Sequence, residues 1–435
     1  MGWAIRGLIE GFYGPPWSWD ERLDVMAWCH ERGMTHYLYA PKDDPLHRER
    51  WREPYSSEAL AGFERLLEAG TLQVGFALSP GLSIDYASPD DRAALLGKLG
   101  QLTALGVRLV CLALDDIPPR PGLGDEHAGI TRWLREELDA DVTLVLVPTE
   151  YTGTTSTPYL DALATGVPLE VPIAWTGATV VCDEITAGDA RARAAALGDR
   201  PPLVWDNYPV NDALMADRLF LGPLRGRDPA LSSACAGYVA NPMVQPVASK
   251  LPLSSVAAFL RGDDPTAAWE QDAAALGIRG FAAACDGVEP WQLTRAVVSS
   301  FGTARQEAMA RLRAWIDQAV DVEAAPDEKL LAEITPWLTQ LRAEREAVRV
   351  ALRVLAALDA GDLTKATDQG LALLYFWPPL RRAAHSVMGP RCSVRPVLGQ
   401  WPDGTWRYCA DSVVEDRNAT DALVRFALAS LAEAG

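Results

Sequence analysis

The stretch LVCLALDDI at residues 109–117 joins a run suited to a protein interior to two consecutive carboxylic acids, Asp115 and Asp116. Its leading apolar residues, rich in Leu and Val, read as a strand buried on both faces, the kind found in parallel sheets. Charge at the end of such a strand is costly. Two like charges side by side repel, and partial burial raises the pKa of whichever acid lacks a cation or a donor. Taken alone, an Asp pair reads as a solvated turn or a helix cap. Its meaning depends on what the rest of the chain puts around it.

Working outward, short apolar segments recur at 3–10, 36–40, 72–78, 107–114, 142–147, 171–175, 203–205 and 234–240. Amphipathic runs at 20–32, 57–68, 92–105, 129–138 and 187–197 separate most of them, with apolar residues at helical spacing. Eight alternations of strand and helix predict an α/β fold, a (β/α)8 TIM-type barrel spanning residues 1–262. A doubly wound open sheet is the competitor, but no G-x-G-x-x-G follows the first strand. Beyond residue 262 the pattern turns helical, at 303–319, 332–358 and 363–374, which predicts an α-helical domain over 263–435. Within it, WPDGTW at 401–406 predicts a small hairpin, and 421–434 a last helix.

Composition narrows the function classes. The chain has 435 residues, 49% of them hydrophobic, with 15 Trp, and Trp is a common platform for sugar rings and other flat faces. A formal charge of −18 argues against nucleic acid or an anionic membrane as the main partner, since both need a positive face. The seven Cys (29, 111, 182, 235, 285, 392 and 409) are odd in number, scattered, and form no C-x-x-C pair. They read as buried free thiols of a reducing compartment. With no basic leader and no run of about 18 apolar residues, a soluble cytoplasmic protein is expected. No motif calls for a cofactor, and no H-x-H or H-E-x-x-H supports a metal.

Catalytic groups of such a barrel sit at the C-terminal ends of its strands. Strand one ends in Glu10-Gly-Phe-Tyr-Gly14, strand two in Tyr39-Ala-Pro-Lys-Asp-Asp44, and strand three in Leu78-Ser-Pro-Gly-Leu-Ser83. Strand four ends in the Asp pair, strand five in Pro148-Thr-Glu-Tyr151, and strand six in Trp175-Thr-Gly177. Strand seven ends in Trp205-Asp-Asn207 with Asn211-Asp212 just after, and strand eight in Asn241-Pro242. Singly, each has a duller reading: EGFYG as a tight turn, KDD with His47-Arg48 as a surface charge run or a metal site, Tyr151 and Trp205 as core aromatics, Asn207 and Asp212 as caps. Together they gather polar and aromatic groups at one rim, which favours a site.

The motifs IEGFYGPPWSW, YLYAPKDDPLHRERWREPY, LSPGLSIDY, LALDDI, PTEYTG, WTG and WDNYPVND, in this order, resemble the family 84 glycoside hydrolases, retaining β-N-acetylglucosaminidases that include protein O-GlcNAcases. The resemblance covers roughly residues 3 to 262. It implies substrate-assisted catalysis, in which the substrate's 2-acetamido oxygen attacks the anomeric carbon to give an oxazoline, and the protein supplies no nucleophile. By resemblance, Asp116 is the general acid and then the base, and Asp115 holds the acetamido N–H. One proton shared by the pair would keep one acid neutral near neutral pH. Strand alternation would point the two side chains apart, so a backbone bend is expected at this strand end.

The same resemblance gives Asp212 to the sugar's O4 and O6, and the Gly11 carbonyl and Lys42 to the O3 side. Tyr151 is expected on the acetamido oxygen, Trp205 along the methyl pocket, Asn207 against Asp115 or the acetamido group, and Asn241 near the hydroxyls. The expected substrate is terminal β-linked N-acetylglucosamine on glycoprotein, glycopeptide or glycan. A hexosaminidase for cell-wall or glycan fragments, and a catalytically silent sugar-binding protein, are the alternatives. An aglycone groove or a homodimer face are the roles open to the helical domain.

Overall fold

Eight of the apolar segments become strands that all run parallel: β1 (Ile5–Glu10), β2 (His36–Tyr39), β3 (Gln73–Leu78), β4 (Leu109–Ala113), β5 (Thr143–Val147), β6 (Ala174–Trp175), β7 (Leu203–Asp206) and β8 (Gly237–Ala240). The computed structural model describes residues 3–322, 327–389, 398–400, 406–408 and 418–435. The strand order is β5-β4-β3-β2-β1-β8-β7-β6. A single parallel bridge, Leu146 to Ile173, joins β5 to the approach to β6 and brings the sheet round into a nearly closed TIM-type barrel. There the Leu146 N–H donates to the Pro172 carbonyl at 3.0 Å. Pro172 offers no ladder donor of its own, which accounts for β6 being only two residues long where the apolar run covers five. β8 likewise starts three residues late, because Leu231–Ala234 forms a short helix.

Alternate residues of the strands fill the barrel. Leu109, Cys111 and Ala113 of β4 share one buried cluster with Ile5 and Ile9, Val145 and Val147, Ala174, Leu203, Trp205 and Val239. Val110 and Leu112 point the other way and are equally buried, as a strand covered on both faces requires.

The connecting helices are α1 (Trp19–Glu31), α2 (Ser57–Glu68), α3 (Pro89–Leu105), α4 (Leu123–Glu137), α5 (Pro158–Gly166), α6 (Ala187–Ala196), α7 (Leu231–Ala234) and α8 (Pro246–Arg261). Side-chain N-caps from Ser18, Ser56, Ser88, Thr157 and Thr186 start five of them, each worth about 1 kcal/mol. In this way the polar segment TGTTSTPYLD, which reads as a loop, already contains the cap of α5 and its Pro158 at the first turn.

The chain divides into two compact units, and the division is not contiguous in sequence. Met1–Asp212, Leu224–Pro265 and Ser393–Val414 build the barrel unit, whereas Ala213–Pro223, Thr266–Cys392 and Glu415–Gly435 belong to the second. The second unit is helical: α9 (Pro265–Ala275), α10 (Arg279–Asp286), α11 (Val288–Val298), α12 (Gly302–Ala319), α13 (Glu328–Asp359), α14 (Leu363–Arg381) and α15 (Ala419–Ala434). The 32-residue α13 buries Leu330, Ile334, Leu338, Leu341, Val348 and Leu355, an apolar stripe at helical spacing. Leu398–Gln400 and Trp406–Tyr408 pair antiparallel as a small hairpin, which groups with the barrel unit and not with the helical domain expected to hold it. Residues 401–405 of its expected turn, with Cys392 and Cys409, lie outside the described residues. Among the described residues, Cys29, Cys111, Cys182, Cys235 and Cys285 are free thiols, and no helix is long and apolar enough to cross a membrane.

Candidate active site

β4 ends at Ala113, and the chain is then pinned through both backbone groups of Leu114 to the end of β5. The Leu114 N–H donates to the Val147 carbonyl at 2.8 Å, and Thr149 Oγ1 donates to the Leu114 carbonyl at 2.7 Å. Two residues on, Asp116 takes φ of 51°, a left-handed conformation that Asp tolerates better than most residues with a Cβ. This is the bend the sequence demands. It breaks strand alternation, so that both acids reach groups carried by the neighbouring strand ends.

Asp115 is buried, and its Oδ2 accepts from Lys42 Nζ at 2.5 Å. Its Oδ1 is also buried and has no hydrogen-bond partner among the described residues. Asp116 is held by two phenols: the Tyr13 hydroxyl donates to Oδ2 at 2.7 Å, and the Tyr151 hydroxyl to Oδ1 at 3.0 Å. Arg48 Nη1 donates to the Tyr13 hydroxyl at 2.6 Å. The electrostatics differ from an evenly shared proton. Loss of water around Asp116 pushes its carboxyl up, but the Lys42 charge, the hydroxyls of Tyr13 and Tyr151, and Arg48 outweigh this and hold it below the usual carboxylate range. Asp212, by contrast, is pushed up, chiefly by burial and also by Asp116, against the N–H donors it accepts. One of these is the Tyr13 N–H, 2.8 Å from Asp212 Oδ2.

The remaining expected residues form a second group beside the acids. Asn241 accepts the Gly11 N–H at 3.1 Å on Oδ1 and donates through Nδ2 to Asn207 Oδ1 at 3.0 Å. Asn207 Oδ1 also accepts from Trp205 Nε1 at 3.0 Å, and its Nδ2 donates to the Val180 carbonyl at 2.8 Å. Lys42 Nζ lies 5.9 Å from the centre of the Trp205 ring, linking this group to Asp115. All nine residues singled out from the sequence thus belong to one connected site. Asn207 is bonded to Trp205, Asn241 and the Val180 carbonyl, while Tyr151 and Lys42 engage the acids themselves.

Sequence reasoning missed Tyr13 and Arg48. The signal was present, since Tyr13 stands inside EGFYG and Arg48 inside PKDDPLHR, motifs otherwise read as a turn and a charge run. Arg193 was missed as well. It is fully buried in α6, donating to the carbonyls of Glu150 (2.6 Å) and Thr152 (3.1 Å), the two residues that flank Tyr151. Burial lowers its pKa to about 10, against the opposing charge of Glu150.

Other strand-end acids are structural. Glu10 is fully buried, with both oxygens on Arg22 at 2.8 Å, and it also accepts from the Trp17 N–H and the Tyr37 hydroxyl. Asp206 repeats this with Arg227 and Tyr238. Asp44 takes the hydroxyls of Tyr39 (2.8 Å) and Tyr55 (2.6 Å), which fixes the segment that carries Lys42.

A parallel barrel with paired acids at its C-terminal rim, lined by aromatic and amide groups, has the parts a barrel-type glycoside hydrolase needs. Residues 6–285 match the beta-N-acetylglucosaminidase family, and the chain belongs to it. The protein O-GlcNAcases of Rattus norvegicus and Mus musculus are each 32% identical to it over 277 residues, 60% of this chain and 30% of theirs. The chain therefore spans about a third of the length of these relatives. Among solved structures, a mutant of the Thermobaculum terrenum O-GlcNAc hydrolase matches with a TM-score of 0.83 at 27% identity, over 99% of this chain and 94% of that one. CpGH84B matches with a TM-score of 0.80 at 25% identity, over 89% of this chain and 75% of that one.

Proposed function

We propose that the protein is a retaining exo-β-N-acetylglucosaminidase that uses its substrate's own acetamide as nucleophile and removes O-linked N-acetylglucosamine from proteins. The observation that carries this reading is the buried, unpartnered Oδ1 of Asp115 beside an acid on the next residue. Consecutive acids approach a sugar from one strand end, unlike the pair that flanks the bond in a double displacement. A buried carboxylate oxygen without a donor is unfavourable unless something supplies one, and an acetamido N–H does.

In the first step the acetamido oxygen attacks the anomeric carbon as the glycosidic bond breaks. The protonated form of Asp116 gives its proton to the departing oxygen, and Asp115 stabilises the positive charge on the acetamido nitrogen. In the second step Asp116 takes a proton from water, whose oxygen attacks the anomeric carbon and reopens the oxazoline with net retention. Tyr151 and Lys42 turn from the acids toward the sugar as it enters, to the acetamido oxygen and the O3 side. Asp212 accepts from O4 and O6, and a further sugar on O4 would leave its charge unpaired, which favours terminal residues. Trp205, held by Asn207, walls the methyl group, while Gly11 and Asn241 border the ring. Free thiols throughout the described chain support a reducing compartment such as the cytoplasm.

The names of the relatives, protein O-GlcNAcase and O-GlcNAc hydrolase, favour a protein-linked substrate over a glycan fragment. The test is turnover of a GlcNAc-serine peptide against chitobiose and a muropeptide fragment. Preference for the peptide is expected. Preference for chitobiose would move the substrate to glycan fragments, and no cleavage of any of them, or of an aryl β-GlcNAc, would overturn the enzyme reading.

A further inference from the structure

Both oxygens of Asp116 are taken by phenols, and one of those phenols is tied to a cation. Arg48 Nη1 donates to the Tyr13 hydroxyl at 2.6 Å, Tyr13 donates to Asp116 Oδ2 at 2.7 Å, and Arg48 Nη2 lies 3.4 Å from the Asp116 carbonyl oxygen. A phenol has one proton, so a Tyr13 hydroxyl that accepts from Arg48 is committed to donating to the carboxylate. The planar guanidinium fixes both ends of this chain at once. Among the described residues no salt bridge ties Arg48 to a carboxylate, and the acids whose charge it feels are Asp115 and Asp116.

We propose that Arg48, acting through the Tyr13 hydroxyl, tunes the protonation equilibrium of Asp116 beyond what Lys42 does, Tyr13 being a further catalytic residue and Arg48 a positioning one. This rests on the reading of Asp116 as acid and base. Once Asp116 has given up its proton, a donor and a cation are already aimed at the charge left behind, with no reorganisation needed. The same pair keeps Asp116 in its basic form for the attack of water.

The other groups that face Asp116 act alongside this pair, Lys42 and the Tyr151 hydroxyl lowering its carboxyl as well. Asp115, its neighbour in the chain, is compensated by Lys42 from the segment after β2. Tyr151, from the segment after β5, is a neutral donor with its pKa pushed well up by burial and by the two acids. Asp212, from the segment after β7, faces the Tyr13 N–H and opposes ionisation of Asp116. Lys42 lowers the Asp116 carboxyl more strongly than Arg48 does, so Arg48 is the second cation acting on it, and the depressed carboxyl reflects both.

A charge acting over this two-bond chain at the dielectric of a protein surface shifts a carboxyl by about one pH unit. Because kcat/KM requires protonated Asp116, it falls as pH rises through that group's pKa, and loss of Arg48 moves the alkaline limb upward. The test measures kcat/KM against pH on an aryl β-GlcNAc with a poor leaving group. Alongside it, the Asp116 carboxyl is titrated by carbon NMR, assigned with Asp116→Asn. Both should rise by about one unit in Arg48→Met and in Tyr13→Phe. Arg48→Lys should keep at least half of the wild-type depression, and Arg48→Met should add nothing further in the Tyr13→Phe background. An unmoved carboxyl titration in folded Arg48→Met, or a loss of rate uniform across pH, would overturn the proposal. Should Arg48→Met fail to fold, Tyr13→Phe decides by the same readouts. A wild-type protein that hydrolyses no β-GlcNAc at any pH sinks the glycosidase reading instead, and the carboxyl titration still judges Arg48.

Discussion

Gly11→Ala is the smallest perturbation that reaches the candidate site. A Cβ at residue 11 would lie 2.3 Å from Trp205 Cζ2 and 2.9 Å from Cη2. Ordinary carbon contacts are about 3.5–4.0 Å, so the indole edge or the Gly11 backbone must give way by about 1.2 Å. Neither is free to do so. Trp205 is buried, and its Nε1 holds Asn207, which is bonded to Asn241 and Val180. The Gly11 N–H is itself bonded to Asn241. Overpacking of this kind costs about 1–3 kcal/mol, and displacement of site groups by about 1 Å lowers the rate on the order of 10²-fold. The assay is kcat and KM on an aryl β-GlcNAc, with thermal melts by circular dichroism. Gly97→Ala in α3 is the control, since a Cβ there meets nothing within 4 Å. It should leave the rate unchanged and add about 0.5–1 kcal/mol of stability. Wild-type kcat/KM in folded Gly11→Ala would refute the argument that Trp205 and the Gly11–Asn241–Asn207 group form the sugar's wall.

Three further outcomes are expected. Arg193→Lys, which cannot hold both carbonyls flanking Tyr151, should lower kcat/KM by roughly 10- to 100-fold, with no added loss in a Tyr151→Phe background; a double-mutant cycle showing additive losses would mean it acts elsewhere. Glu10→Ala leaves the buried Arg22 without its carboxylate and should cost about 3–5 kcal/mol in urea unfolding, far more than an exposed pair such as Arg65–Asp20. His47 and His127 are buried with pKa values pushed down to about 3, by desolvation first and also by Lys42 and Arg120 respectively. The unfolded imidazole takes up a proton near pH 6.5 that the folded one refuses, so this contribution is full above that pH and is lost on acidification. Each histidine should remove about 2 kcal/mol between pH 7 and pH 5, measurable as a falling urea midpoint whose fall is roughly halved in His127→Gln.

The barrel was legible because its strands are buried on both faces, which forces continuous apolar runs such as LVCLAL between amphipathic helices. Where the sequence misled, a local cause can be named. Pro172 shortens β6, residues 231–234 coil into a helix before β8, and Thr157 with Pro158 starts a helix inside an apparently polar loop. The site was legible as residue types at strand ends. The partners were not, because hydrogen-bond geometry across strands leaves no mark in one chain's spacing. Tyr13 and Arg48 read as turn and surface, yet they meet Asp116 from two different strand ends. Glu10, Asp44 and Asp206 are as prominent as Asp116 in the sequence, and only their buried cation and tyrosine partners show that they hold the scaffold.

The most direct test of the whole account varies the nucleophile in the substrate instead of the protein. Aryl β-glucosaminides carrying acetyl, fluoroacetyl, difluoroacetyl and trifluoroacetyl groups on nitrogen should be hydrolysed with kcat/KM falling steeply at each fluorine, as an amide oxygen drained of electron density attacks more slowly beside Asp115 and Asp116. Rates indifferent to fluorination would place the nucleophile on the protein and contradict the account.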